Sequence, residues 1–166
     1  MPRFLHFVLL LGYGLNAAAA QTNIELRARV INAGCAVESR DSQKTVSLGR
    51  WPIRQLRMAG NITTPVAFSV KLKGCPPGSV SITFSGKAAS NPAWLALSDG
   101  KLAHQVAIQL RDHDLSPLDL DVPSQAIIVD RNGNSLLQFF ANYIALVNNP
   151  TPGIAKSDAT FTINYY

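Results

Sequence analysis

Apolar and charged residues alternate near the front of the chain, between residues 21 and 35. Four apolar residues occupy every second position there, namely Ile24, Leu26, Ala28 and Val30. Three charged residues fall between them, namely Glu25, Arg27 and Arg29. This alternation predicts a strand with one apolar face and one charged face. Because the strand precedes the first cysteine, it can complete a sheet of its own chain or enter a second molecule.

Segments typical of strands recur at short intervals through the rest of the chain; several of them alternate, and the segment 136–147 is a long apolar one. They cover residues 45–48, 64–72, 80–84, 95–97, 106–110, 126–129, 136–147 and 159–166. Glycine, proline and asparagine separate them, and the Asn132-Gly133 pair is typical of a hairpin turn. The best helical candidate, residues 52–60, is one or two turns long. Short strands with turn residues between them predict a single all-β sandwich.

The final segment has an apolar face of its own. Its apolar positions are Ala159, Phe161, Ile163 and Tyr165, with threonine and asparagine on the opposite face. We expect no strand to follow it, and an uncovered apolar edge pairs readily with another strand. The sequence therefore predicts an amphipathic strand at the front and an open edge at the end.

The first 19 residues are typical of a secretory signal peptide, although cleavage after Ala20 is an alternative. Arg3 supplies the positive start, residues 4–15 are largely apolar, and consecutive alanines end the segment. A membrane anchor would need a longer apolar stretch. We therefore expect an exported protein with no direct membrane insertion. It divides into a signal peptide at 1–19, an N-terminal extension at 20–34 and a domain at 35–166.

The charge of the chain gives little indication of a nucleic-acid partner. The formal net charge is +5, but the basic residues are scattered and not interleaved with aromatic side chains. Nucleic-acid binding surfaces concentrate their basic residues on one face. We therefore expect no nucleic-acid binding, and the mild positive charge is more simply a solubility feature.

Two cysteines, Cys35 and Cys75, are present in this chain. An even number of cysteines in an exported protein favours a disulfide. It would close a loop of about 40 residues and stabilise the fold by about 4 kcal/mol on the chain-entropy estimate. A catalytic or metal-binding role is the alternative, but there is no Cys-x-x-Cys motif and no histidine nearby.

The run Asp112-His113-Asp114 is the best candidate for a metal cluster. On a strand the two aspartates would share a face and His113 would point away, whereas in a loop the three could converge. The run is also typical of a solvated turn before Ser116-Pro117. No serine lies in a nucleophile motif such as Gly-x-Ser-x-Gly. We therefore expect no metal, no cofactor and no enzymatic activity.

The most specific motifs lie at the C-terminus. Gly153 is the fourteenth residue from the end, Asp158-Ala159-Thr160-Phe161 follows it, and Tyr165 is next to last. Further motifs are Asn-Ala-Gly-Cys at 32–35, Thr-Pro-Val-Ala-Phe at 64–68, and the strands at 106–110 and 140–145. Together they resemble the pilin subunits of chaperone–usher fimbriae, close to the type 1 fimbrial proteins.

This resemblance implies a fold and a way of assembling. The fold is an incomplete immunoglobulin-like β-sandwich that lacks its final strand and is completed by a donor strand. The implied donor residues are Ile24, Leu26, Ala28 and Val30, which would enter the next subunit and stay outside their own core. The implied groove strand and assembly motif comprise Gly153, Ala159, Phe161, Ile163 and Tyr165. The implied partners are a periplasmic fimbrial chaperone, an outer-membrane usher and neighbouring pilin subunits.

The resemblance also implies a location, which is the fimbrium at the cell surface, reached through the periplasm. The leader before Cys35 is short, about fifteen residues, and this favours a minor or tip-type subunit. A major rod subunit and an assembly-terminating subunit are alternatives within the same class. Two-domain adhesins of the family are about twice as long, and a small exported hydrolase has no motif in its favour.

Overall fold

The computed structural model describes residues 23–29, 34–98 and 100–166. These residues form one 3-10 helix at Ile53–Leu56, and eleven strands. The strands are β1 (Asn23–Arg29), β2 (Ala36–Val37), β3 (Gln43–Ser47), β4 (Val66–Lys73), β5 (Ser79–Gly86), β6 (Leu95–Ala96), β7 (Val106–Arg111), β8 (Pro117–Leu118), β9 (Ile127–Ile128), β10 (Ser135–Ala145) and β11 (Ser157–Tyr165). The predicted signal peptide, residues 1–19, lies outside the described residues.

The strands form two sheets. The first sheet has the order β3-β1-β11-β5-β9, and the second has the order β2-β4-β10-β7-β6, with β8 also paired to β7. Strands β10 and β11 are the long central members; alternate residues are buried in β11 and in the first half of β10, and residues 141–145 of β10 are all buried. This alternation was the basis of the predicted all-β sandwich, which the structure confirms.

Four phenylalanines join the two sheets at the centre of the core. Phe84 and Phe161 come from the first sheet, and Phe68 and Phe139 come from the second. The rings of Phe84 and Phe139 meet edge to face, with their centroids 4.9 Å apart, and Phe84 lies 6.1 Å from Phe161. Such edge-to-face contacts add to the stabilisation that burial alone provides. Phe161, on the groove strand β11, is thus part of the central core.

The Asn132-Gly133 turn forms as predicted, but its role as a hairpin is wrong. Gly133 has a φ of 74°, and Asp130 accepts hydrogen bonds from the backbone N–H groups of Asn132 and Asn134. The strands on either side are not paired: β9 belongs to the first sheet and β10 to the second. A turn motif fixes a local reversal of the chain, whereas strand pairing depends on tertiary packing.

The predicted disulfide is confirmed. Cys35 and Cys75 are bonded, with their Cα atoms 4.2 Å apart, and both are buried. The bond ties the start of the domain to the turn that follows β4. Helical turns were expected within residues 52–60, and the 3-10 helix lies there. Within the described ranges, no helix has the length and the apolar character needed to cross a membrane.

Candidate functional site

Strand β11 has two neighbours, and the first of them is β5. The two strands run antiparallel, and their pairing extends from Ala159 opposite Gly86 to Tyr165 opposite Val80. Ala159, Phe161 and Ile163 point into the core and are almost fully buried. The sequence predicted this face of β11 correctly, because its apolar residues occupy alternate positions.

The second neighbour of β11 is β1, which is the leader of the same chain. The two strands run parallel, from Ile24 opposite Ser157 to Arg29 opposite Thr162. On its other side β1 pairs antiparallel with β3, from Asn23 opposite Ser47 onwards. The leader therefore fills the gap between β3 and β11 of its own domain, and we call this gap the groove.

Leu26 is the side chain that seals the groove. It is opposite Ala159 on β11, and only 1% of its surface is exposed. This differs from the expectation that the leader stays outside its own core. The alternation of the leader determines which face is apolar, but it does not determine which molecule supplies the groove. When a single chain folds by itself, the available amphipathic strand is the leader of that chain. The burial of Leu26 favours insertion of this leader into the groove.

For two of the other predicted donor residues, the backbone register with β11 is known. Ile24 and Ala28 are opposite Ser157 and Phe161 in the register of the backbone. Val30 lies outside the described residues. The register thus puts three of the four predicted donor positions alongside β11.

Tyr165 and Gly153 lie at opposite ends of the groove strand. Tyr165 is half-buried near the end of β11, beyond the last residue that pairs with β1. Burial raises the pKa of its phenol above the ordinary value. Gly153 precedes β11, where a Cβ atom would come within 3.1 Å of the Leu102 side chain. The predicted assembly motif therefore extends along the whole length of the groove.

A pocket of about 320 Å³ opens beside Gly153. It is lined mostly by apolar residues, including Trp51, Leu56, Leu102, Tyr143, Ile154 and Ala155. The registers of β1 with β3 and β11 place this pocket just beyond Asn23, in line with the groove. The groove thus extends beyond the described part of the leader. Sequence reasoning missed the pocket because its walls come from segments far apart in the chain.

The Asp112-His113-Asp114 run lies in a loop and organises its backbone. Asp112 is buried and accepts hydrogen bonds from the backbone N–H groups of His113 and Gln125, each 2.7 Å long. Asp114 accepts hydrogen bonds from the hydroxyl and the backbone of Ser116, which lower its pKa to about 2. In the part of the chain that the structure describes, no three acidic, histidine or cysteine residues form a metal-binding group.

Comparison with known proteins finds relatives that match most of the chain. The model of the fimbrial protein family matches residues 24–166. The chain is 53% identical to Fimbrial-like protein FimF of Salmonella typhimurium, over 90% of this chain and 87% of that protein. It is 33% identical to Fimbrial subunit type 1 of the same organism, over 86% of this chain and 81% of that protein.

Among solved structures, a subunit of a chaperone–usher pilus superposes with a TM-score of 0.66 at 16% identity. The match covers 100% of this chain and 98% of that one. At this identity the likeness concerns the fold, and it confirms the predicted immunoglobulin-like sandwich of pilins. With the family match and the two relatives, it leads to one conclusion: the chain belongs to the fimbrial protein family, whose members are structural subunits of fimbriae at the cell surface.

Proposed function

We propose that this chain is a non-enzymatic pilin that polymerises by donor-strand exchange. Its leader would enter the groove of one neighbour, and its own groove would receive the leader of another. A periplasmic chaperone would hold the groove before assembly, and an outer-membrane usher would be the place of exchange. The observation that carries the proposal is the groove between β3 and β11, which is completed by the N-terminal leader.

The energetics of the groove explain why a borrowed strand is needed. Without β1, the edges of β3 and β11 would have unpaired backbone groups and the core beside Ala159 would be open to water. Burying one apolar side chain there stabilises the fold by roughly 1.5–3 kcal/mol. Several such side chains together are comparable with the net stability of a domain, about 5–15 kcal/mol. A strand from a chaperone or from a neighbour supplies the same cover.

The open pocket supports exchange with an incoming strand. An antiparallel donor would have its C-terminal end near the start of β11, where the pocket lies. Val30 is the last of the four apolar residues in a leader of this sequence, and it would be closest to that pocket. An incoming leader could therefore make its first apolar contact before the resident strand has left.

We further propose a minor or tip-type position in the fimbrium. The identity to Fimbrial-like protein FimF, 53%, is well above the 33% identity to Fimbrial subunit type 1. A count of subunits in sheared fimbriae by quantitative mass spectrometry tests this position. We expect far fewer copies of this chain than of the most abundant pilin. Equal or greater abundance would identify a major rod subunit instead.

The exchange itself is tested with the purified complex of this chain and its chaperone. Leader peptides from candidate neighbouring subunits are added, and native mass spectrometry follows the products. We expect at least one leader to release the chaperone and remain bound to the chain. The matched control is the same peptide with its central apolar residue changed to aspartate, which puts an unpaired charge into an apolar groove. If the intact and the changed peptides behave alike, donor-strand exchange is wrong.

A further inference from the structure

The strands on either side of the leader differ in their outward-facing charge. On β11 the outward row contains one charged residue, and it consists of Asp158, Thr160, Thr162 and Asn164. On β3 the row opposite the outward residues of the leader is neutral and consists of Gln43, Thr45 and Ser47. A strand in the groove therefore has one fixed negative charge beside its outer face, near the start of β11.

The parallel leader meets this charge unfavourably. Glu25 is directly opposite Asp158, and like charges in directly opposite positions destabilise a sheet. Glu25 accepts a hydrogen bond from Arg27 of its own strand, with a length of 3.0 Å. Both side chains are largely exposed, and Arg27 also borders a hollow that contains Asp158, so the repulsion is offset only in part.

We propose that Asp158 selects an antiparallel leader from another pilin subunit, one with a basic residue opposite it. The leader of a second copy of this chain meets this requirement through Arg29. The inference rests on the proposed strand exchange and adds the charge that the donor has opposite Asp158. Antiparallel pairing is also slightly more stable per residue than the parallel pairing of β1 with β11.

The register follows from keeping the apolar face of the donor toward the core. If Leu26 of the donor is opposite Ala159, Arg27 meets Asp158 but Arg29 meets Lys156, which is exposed. Two like charges would then be adjacent.

If Leu26 of the donor is opposite Phe161, Arg29 meets Asp158 and Arg27 meets the neutral Thr160. A third register would place Glu25 opposite Asp158 again. It would also put Leu26 opposite Ser157, whose hydroxyl donates to the backbone carbonyl of Ala96 at 2.7 Å. The second register is the one that pairs opposite charges and keeps the leucine over the phenylalanine core.

A second carboxylate strengthens the negative charge at this place. A shallow hollow on the outer face is bordered by Arg27, Ser85, Gly86, Asp158, Ala159 and Thr160. Ser85 donates a hydrogen bond from its hydroxyl to the carboxylate of Asp121. The carboxylates of Asp158 and Asp121 thus lie on the same outer face, and a basic donor residue is attracted to both.

The test uses the mature full-length chain and a fluorescent peptide with the sequence of residues 21–33. Two further peptides have the single changes Arg29→Glu and Arg27→Glu. The acceptors are the wild-type chain, Asp158→Lys and Asp158→Asn, each checked to be folded, and the peptides are compared with one another on each acceptor. The rate of peptide entry is followed by fluorescence anisotropy. A nitroxide on the N-terminus of the peptide reports its orientation by broadening the amide signal of either Tyr165 or Ser157.

On the wild-type acceptor we expect Arg29→Glu to slow entry by about two- to fivefold, the range for a cross-strand charge pair. Arg27→Glu should have a smaller effect, and Asp158→Lys should reverse the preference at position 29. Asp158→Asn should remove that preference. The nitroxide should broaden Tyr165 and not Ser157.

Three results would overturn the inference. If peptides enter but the preference at position 29 is the same on all acceptors, Asp158 does not select the donor, although strand exchange stands. If Arg27→Glu has the larger effect or Ser157 is broadened, the register or the orientation is wrong. If no peptide enters any acceptor, the proposed exchange fails, and this inference fails with it.

Discussion

The two flanks of β11 are paired in opposite ways. Toward β5 the pairing is antiparallel, extends to Tyr165 and joins segments that both belong to the domain. Toward β1 the pairing is parallel, is described from Ser157 to Thr162 and depends on a leader that precedes the disulfide-bonded Cys35. The β5 flank holds the core residue Phe84, whereas the β1 flank contributes Leu26. On the proposed strand exchange, the β5 flank is the permanent one and the β1 flank is the replaceable one.

The largest effect is expected from a change that damages both flanks. Phe161→Asp replaces a fully buried ring of the central core by a charge. Removing a buried phenylalanine costs about 3–5 kcal/mol, and an unpaired buried charge adds to this. That sum is close to the whole stability of a domain. We expect no folded subunit and no recovery with the chaperone in a pull-down.

The contrasting variant is Leu26→Asp, which affects the replaceable flank alone. It should release the leader and lower the melting temperature of the isolated chain by several degrees, because Leu26 loses about 1.5–3 kcal/mol of burial. Recovery with the chaperone should be unchanged. Thr160→Asp, on the exposed face of β11, is a control for the added charge. Loss of chaperone recovery in Leu26→Asp, as complete as in Phe161→Asp, would make the leader an obligatory part of its own sandwich.

The next largest effect, on the melting temperature, is expected when a second copy of the leader is added after the C-terminus of the chain. A copy of residues 21–33 is fused after Tyr166 through a linker of about five residues, which spans at most about 18 Å. Parallel insertion would require the linker to pass along all nine residues of β11, about 30 Å. Parallel entry would stretch the linker and residues 21–23 of the copy along β11, so we expect the fused strand to enter antiparallel, as in a hairpin.

We expect the fused protein to remain a monomer and to melt at a clearly higher temperature than the unfused chain. The matched control is a fusion whose added copy contains Leu26→Asp. Introducing Leu26→Asp into the original leader should then have little effect on the melting temperature of the intact fusion. Equal melting temperatures for fused and unfused proteins would show that the β1 flank is not replaceable.

The sequence was sufficient to predict the structure on the permanent flank of β11, but it was insufficient to predict which strand occupies the replaceable flank. The faces of β10 and β11 and the disulfide follow from alternation and from the number of cysteines. The occupant of the groove does not, since an alternating strand fits any apolar groove of the right width. The pocket beside Gly153 was also missed, because Trp51, Leu102 and Tyr143 meet only after folding.

The smallest effect is expected at Tyr165, which pairs with β5 and lies beyond the described pairing with β1. Burial raises the pKa of this phenol above its ordinary value of about 10. A group with a raised pKa in the folded state contributes stability below its unfolded pKa, and this is lost as the pH rises through the folded value. The contribution of Tyr165 should therefore disappear above about pH 10, and Tyr165→Phe should remove that part of the alkaline unfolding.

The pKa of Tyr165 also reports how far a donor strand reaches. The described pairing of β1 reaches Thr162, and Gly34 of the same chain lies beside the Tyr165 ring, whereas an antiparallel donor with Leu26 opposite Phe161 would place residue 22 beside Tyr165. The added cover should raise the pKa of the phenol further, because burial disfavours the phenolate. An NMR titration of ring-labelled tyrosine, assigned with Tyr165→Phe, measures this pKa in the fused and the unfused protein. The same value in both would mean that the donor stops short of Tyr165, and that the second flank never becomes as long as the first.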